Sequence, residues 1–204
     1  MFFEIKNDSG LKYNPFKGCI VPRPIAWISS ISKEGITNLA PYSYFNAVAE
    51  HPPIVMFASG GKKGDDDKDT IRNIEDTKEL VVNIVSLSQK DDMIKTSTPI
   101  GYNVSEIDHF KIETLSSNLV KPPRVALSPI NLECKYLQTL QLPTDNDKVS
   151  NKVVFGQVIA IHIDDKIMTD GKVDITKLKP LCRLGYKQYS AIIDSFDLER
   201  PILG

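Results

Sequence analysis

Apolar residues in this chain come in short runs broken by turn formers, not in long stretches of helical period. Residues 24–31 (PIAWISSI), 53–58 (PIVMFA), 80–87 (LVVNIVSL), 130–137 (INLECKYL) and 153–163 (VVFGQVIAIHI) are rich in β-branched residues and bounded by Pro, Gly, Asn or Asp. That pattern predicts at least five strands. Pro22, Pro24, Pro52 and Pro53 fall at strand starts, where a missing N–H costs the ladder least, and Gly156 inside a run marks a bulge or a close backbone approach. Helical signals are fewer. Residues 69–79 place Ile71 and Ile74 on one face, and residues 88–96 offer Ser88 as a cap with Asp91 and Asp92 in a first turn. No internal repeat is present, and the Pro-rich points are too short to be linkers. The expected fold is mainly β: an antiparallel, Greek-key-like barrel with a few peripheral helices.

Composition narrows the function more than the fold. At 204 residues and 41% hydrophobic content the chain can bury a core within one domain, expected over 1–204. A formal net charge of -1 provides no chain-wide basic field, so neither a nucleic acid nor an acidic membrane surface is an expected partner. Cys19, Cys134 and Cys182 are far apart and form no CxxC pair or Cys/His ligand spacing, which argues against structural zinc and a disulfide framework. The start MFFEIKNDSG lacks a basic region followed by a long apolar run. No signal peptide is expected, no later segment approaches a membrane span, and the expected location is the cytoplasm.

Two segments carry candidate chemistry. In residues 59–70, Ser59, Gly60, Gly61 and Gly64 let backbone N–H groups turn inward, Lys62, Lys63 and Lys68 add positive charge, and a helix N-terminus follows. A phosphate suits such a loop. Asp65, Asp66, Asp67 and Asp69 must then point away from it. A solvated loop leading into an Asp-capped helix is an equally good reading of this segment by itself. In residues 38–46 (NLAPYSYFN), small and hydroxyl residues such as Ser43 can meet the polar edge of a planar heterocycle, with Phe45 and Asn46 bounding it. Tyr42, Tyr44 and Phe45 also suit a core or a subunit interface.

Taken together and in order, PRPIAWISS, NLAPYSYFN, PPIVMF, Ser59, KDT at 68–70 and VVNIV resemble the flavin reductase-like family. This is the FMN-binding split-barrel group that includes flavoredoxin and the reductase components of two-component flavin monooxygenases. The resemblance continues through PPRVALSPINLECKY at 122–136, VVFGQVIAIHID at 153–164 and PLCRLGYKQYS at 180–190, and so covers nearly the whole chain.

The resemblance implies a split-barrel homodimer with one FMN per subunit near the dimer interface. Trp27 and Ser29 would lie beside the flavin, and Ser43, Tyr44, Phe45 and Asn46 would line the isoalloxazine. Ser59, Lys68 and Thr70 would hold the phosphate, and His162 and Arg183 match positions that approach the flavin site. Where the family commonly has an Arg in the glycine loop, this chain has Lys62 and Lys63. The implied activity is hydride transfer from NADH or NADPH to flavin N5, with electrons passed on to an acceptor such as a monooxygenase or another electron-acceptor protein. A flavoredoxin-like carrier with no nicotinamide site of its own, and a barrel without cofactor, are the alternatives. No side chain is assigned as catalytic and none as a metal ligand. A lone His on an apolar strand is more often structural, and Cys134 and Cys182 read as small apolar fillers.

Overall fold

A computed structural model describes residues 1–7, 9–62, 68–146 and 149–202. The predicted apolar runs fall on strands of one sheet: β1 (Ala26–Ile31), β2 (Thr37–Tyr42), β3 (Phe45–Glu50), β4 (Pro53–Lys62), β5 (Glu79–Ile84), β6 (Ile130–Leu142) and β7 (Val149–Ile163). Their order in the sheet is β2–β1–β5–β6–β7–β4–β3, and every neighbouring pair is antiparallel.

The two edge strands, β2 and β3, are separated in sequence only by Ser43 and Tyr44. Laid flat, the edges of this seven-stranded sheet would stand roughly 29 Å apart at the usual strand spacing. The chain from Tyr42 to Phe45 can reach only about 11 Å. The sheet must therefore roll until its edges meet, which makes it a split β-barrel. At the meeting point the Ala58 N–H donates to the Tyr44 carbonyl at 2.7 Å, and the Tyr42 and Phe57 rings lie 4.8 Å apart.

β1 is buried on both faces, which explains why its sequence reads as an uninterrupted run and not an alternation. Ala26 and Ile28 point into the inner core with Phe57, Leu80, Val82 and Val154, and the Asp69–Thr77 helix adds Ile71 and Ile74 to the same cluster. Trp27, on the other face, packs with Ile25, Leu39, Val85, Met93 and Leu181 in a second cluster. Gly156 sits at a register shift in β7, as its position predicted, and a Cβ there would come within 3.3 Å of both Cys134 Cβ and Leu80 Cδ2.

Four local expectations are corrected. NLAPYSYFN, outside the five expected strand runs, is mostly strand: β2 and β3 take most of it, and Pro41 is accommodated because β2 is an edge. The predicted glycine loop begins as strand too, since Gly60 and Gly61 pair with Asn151 and Ser150 of β7. Residues 63–67, with Lys63, Gly64 and the acidic run, lie outside the described residues. The helix expected at 88–96 starts with a 3-10 turn at Leu87–Gln89 and runs on as Lys90–Lys95. Its cap is Ser86, not Ser88, because Gln89 reaches back to Ser86 in a capping box. The helix expected at 69–79 stops at Thr77, where Lys78 turns left-handed and its N–H caps the Ile74 carbonyl.

Glu133 on β6 is fully buried and fastens the segment ahead of that strand. Its Oε1 accepts from the Asn118 N–H at 2.8 Å and lies 2.6 Å from His162 Nε2, while Oε2 accepts from the Leu119 N–H at 2.6 Å. Burial pushes this carboxyl up, but the hydrogen bonds from Asn118, His162 and Leu119 outweigh it and hold the group below its ordinary value. A depressed carboxyl stabilises the fold above its unfolded pKa, and that contribution is lost as pH falls through the folded value. Glu133→Gln, which turns an amide toward a backbone donor, is expected to cost about 1–3 kcal/mol at neutral pH. In urea denaturation the gap between variant and wild type should narrow toward about pH 3; a gap independent of pH would show that the ionised carboxylate is not what matters.

Candidate functional site

The rolled sheet leaves a cleft of about 840 Å³ between the end of β2, the end of β4 and the start of the Asp69–Thr77 helix. Pro41 and Tyr42 form one wall, Gly60 and Gly61 another, and Lys68, Asp69, Thr70 and Arg72 bring the helix N-terminus to the opening. Residues 96–100 and Tyr102 close the far side.

The floor is a hydrogen-bonded polar layer. Thr70 Oγ1 donates to Asn38 Oδ1 at 2.6 Å, and Asn38 Nδ2 donates to Glu106 Oε2 at 2.9 Å. Glu106 Oε2 also accepts the Leu39 N–H at 3.0 Å. Asn73 Nδ2 reaches Ser30 Oγ at 3.3 Å, and Tyr102 donates to Asn73 Oδ1 at 3.2 Å. These contacts tie the helix start, β1 and β2 together, so the cleft keeps its shape without a ligand. Burial pushes the Tyr42 hydroxyl up to about 12 against the pull of Thr70 and Ser59, so it remains a protonated donor at neutral pH. Burial also raises the carboxyls of Asp69 and Glu106, with Arg72 and Lys68 pulling Asp69 back and the hydrogen bonds from Leu39 and Asn38 pulling Glu106 back.

A second cleft of about 580 Å³ adjoins the first, with Pro41 and Ser97 lining both. Ser43, Lys17, Arg23, Arg183, Tyr186 and Tyr189 face it.

The predicted site residues divide between these places. Lys68 and Thr70 line the first cleft, and buried Ser59 sits at its edge in contact with Tyr42. Ser43 and Arg183 line the second. Tyr44 stands beside it, with Lys17 Nζ and the Arg23 guanidinium each 5.9 Å from its ring. Phe45 packs on the inner core, and Asn46 is exposed on β3 with its Oδ1 accepting the Ala47 N–H. Trp27 and Ser29 line neither cleft. Trp27 Nε1 donates to Thr96 Oγ1 at 2.8 Å, holding a cleft residue from behind, and Ser29 Oγ donates to the Pro123 carbonyl at 2.5 Å. His162 lies apart from both clefts, committed to Glu133.

Sequence reasoning missed Glu106, Thr96 and Tyr102. Their partners are remote in the chain, Asn38 lying 68 positions from Glu106 and Trp27 lying 69 from Thr96. The thiols behave as expected. Burial pushes Cys134 up to about 12 and raises Cys182, so neither is a thiolate at neutral pH. Among the described residues no group of His, Cys, Asp and Glu is arranged to hold a metal, and no helix is long and apolar enough to cross a membrane.

Comparison with known proteins agrees with this geometry. The model of the flavin reductase like domain matches residues 18–181. A protein of Aquifex aeolicus is 35% identical over 191 residues, covering 93% of this chain and 94% of its own. Among solved structures, nitrilotriacetate monooxygenase component B from Bacillus cereus is 30% identical with a TM-score of 0.84, covering 94% of this chain and 100% of that one. The 2-nitrobenzoate 2-nitroreductase of Pseudomonas fluorescens is 27% identical with a TM-score of 0.84, covering 98% of this chain and 96% of its own. With the matched model spanning most of the chain, from the segment before β1 to the strand that carries Arg183, this protein belongs to the flavin reductase-like family.

Proposed function

We propose that the protein is an FMN-binding oxidoreductase whose flavin is reduced by NADH or NADPH and passes electrons to an acceptor. The observation that carries this reading is the cleft itself. It runs from a cationic helix N-terminus to the apolar and hydroxyl wall of Pro41 and Tyr42, in a volume suited to a nucleotide-sized ligand. Its residues fit FMN. The Ile71 and Arg72 N–H groups turn back to the Lys68 carbonyl, the helix start at Asp69 and Thr70 presents a partial positive charge to the cleft, and Lys68 adds a full one. Tyr42 and the β4 backbone at Gly60 and Gly61 offer polar and apolar surface against which a planar ring would lie. Bound FMN supplies N5 as the hydride acceptor and a reservoir for the electrons, so no side chain need act as acid or base.

The chain's own contribution is orientation and shielding. Asn38 and Thr70 fix the helix start against β2, and Trp27 holds Thr96 in the wall, so the lining is positioned by buried hydrogen bonds. The names of the similar structures, a monooxygenase component and a nitroreductase, support transfer of electrons to an external acceptor. A homodimer is proposed as well. Phe196, Leu198 and Ile202 of the C-terminal segment are more than four-fifths exposed, an apolar strip that a second subunit would cover.

An anaerobic titration of the FMN-loaded protein with NADH and with NADPH tests the activity. Rapid bleaching of the flavin band by one of them is expected; FMN binding without bleaching by either would instead assign an electron carrier. Lys68→Glu inverts the charge at the phosphate end and is expected to weaken FMN binding by about tenfold or more, read by fluorescence quenching. Unchanged affinity would place the phosphate elsewhere. Glu106→Gln keeps the acceptor oxygen for Asn38 and Leu39 while removing a negative charge, and is expected to tighten FMN binding by about two- to fivefold at neutral pH. The ratio of the two affinities should fall toward one as pH drops through the raised pKa of Glu106, because protonation removes the same charge.

A further inference from the structure

The second cleft holds more positive charge than the proposed flavin site uses. Arg23 is only 6% exposed, yet its guanidinium meets neutral groups alone: Nη1 donates to the carbonyls of Lys17 at 2.5 Å and Ile20 at 2.6 Å, and Nη2 to that of Leu184 at 2.9 Å. Its Nε is buried with no hydrogen-bond partner. Arg183 stands directly opposite Arg23 in the antiparallel pairing of Arg23–Pro24 with Leu181–Arg183, so two like charges share one cross-strand position. Such a pair is destabilising when nothing lies between. Lys17 faces the same space, and no Asp or Glu lines it. Among the described residues, none of these three cations forms an ion pair with a carboxylate.

The cations are held in place by the backbone. Gly18 and Gly185 approach so closely that a Cβ on Gly185 would fall 2.8 Å from Gly18 Cα, which fastens the segment of Lys17 to that of Arg183. Arg183 is braced by its bond to the Tyr186 carbonyl at 2.6 Å and by stacking at 4.3 Å over the Tyr189 ring. The rest of the lining mixes apolar Ile25, Met93 and Ile94 with polar Asn14, Ser43 and Ser97. A buried, charge-uncompensated guanidinium is costly, and an arriving anion offsets that cost. Fixed cations beside apolar and aromatic walls therefore select an anionic group on an organic body.

We propose that this cleft binds the carboxylate or phosphate of the small organic molecule that exchanges electrons with the flavin. The role as redox partner rests on the flavin reading of the first cleft, since Pro41 and Ser97 are shared by both. A carboxylate would mark an organic acid as electron acceptor. A phosphate would mark the nucleotide donor.

Calorimetric titration of the full chain with benzoate and with ADP, in flavin-free and FMN-loaded forms, tests the proposal without relying on turnover. At least one probe is expected to bind, and Lys17→Ala and Arg183→Ala, both at accessible side chains, are each expected to weaken it by about tenfold or more. The FMN affinity of Lys17→Ala should stay within about twofold of wild type, because Lys17 does not line the first cleft. Binding of benzoate assigns the acid, binding of ADP the nucleotide. Heat from neither probe in either form, or binding that both variants leave intact, would overturn the anion site. Anion binding in a protein that does not take up FMN would overturn the flavin reading alone, since the heat is measured without flavin.

Discussion

The closure of the sheet is the constraint on which the rest of the molecule depends. Because β2 and β3 are neighbours in sequence and opposite edges in the sheet, the chain cannot satisfy both ladders without rolling the sheet. Rolling puts the end of β2 beside the end of β4 and leaves an opening there, which the Asp69–Thr77 helix approaches with its N-terminus. The cleft is thus a by-product of topology before it is a property of any side chain. Its chemistry comes from the residues that topology delivers there: hydroxyls and amides below, cations at the helix end, glycine backbone on the side.

A second theme is how the molecule handles buried polarity. Glu133, Glu106 and Arg23 are all nearly or fully buried, and each is treated differently. Glu133 receives two backbone N–H groups and a histidine and is held ionised, a structural fastening. Glu106 receives one amide and one backbone N–H, and burial raises its carboxyl at the edge of the cleft. Arg23 receives carbonyls but no counter-charge. Charge satisfied within the fold marks architecture, whereas charge left over faces the clefts.

The sequence made the barrel legible because its strands are β-branched and cleanly bounded, and because Gly156 sits where a side chain would strike Cys134 and Leu80. It misread β2 and β3 because Pro41 and the polar residues around it look like a loop, and only the edge position of β2 makes them acceptable in a strand. The Ser86 cap was readable in the spacing of Ser86 and Gln89, a signal passed over for the nearer Ser88. At the site, Lys68 and Thr70 follow from local order, since the start of a helix carries its own chemistry. Trp27 and Ser29 lie one layer deeper than the resemblance implied, because β1 is central and covered on both faces. The pairing of Arg23 with Arg183 joins positions 160 apart, and no local pattern carries such a relation.

The contact between Gly18 and Gly185 bears on how this protein could change its ligand over time. Where two backbones touch without side chains between them, neither segment can advance on the other, and a side chain at either position would have to push them apart. The spacing of the cations is therefore a fixed ruler. Variation in what the second cleft accepts has to come from trimming or extending the rings of Tyr186 and Tyr189 and the side chains of Met93 and Ile94, which reshape the apolar part while the charged end keeps its dimensions. In this arrangement the preference for an anion is inherited with the backbone, and the identity of the molecule that carries it is left to the side chains.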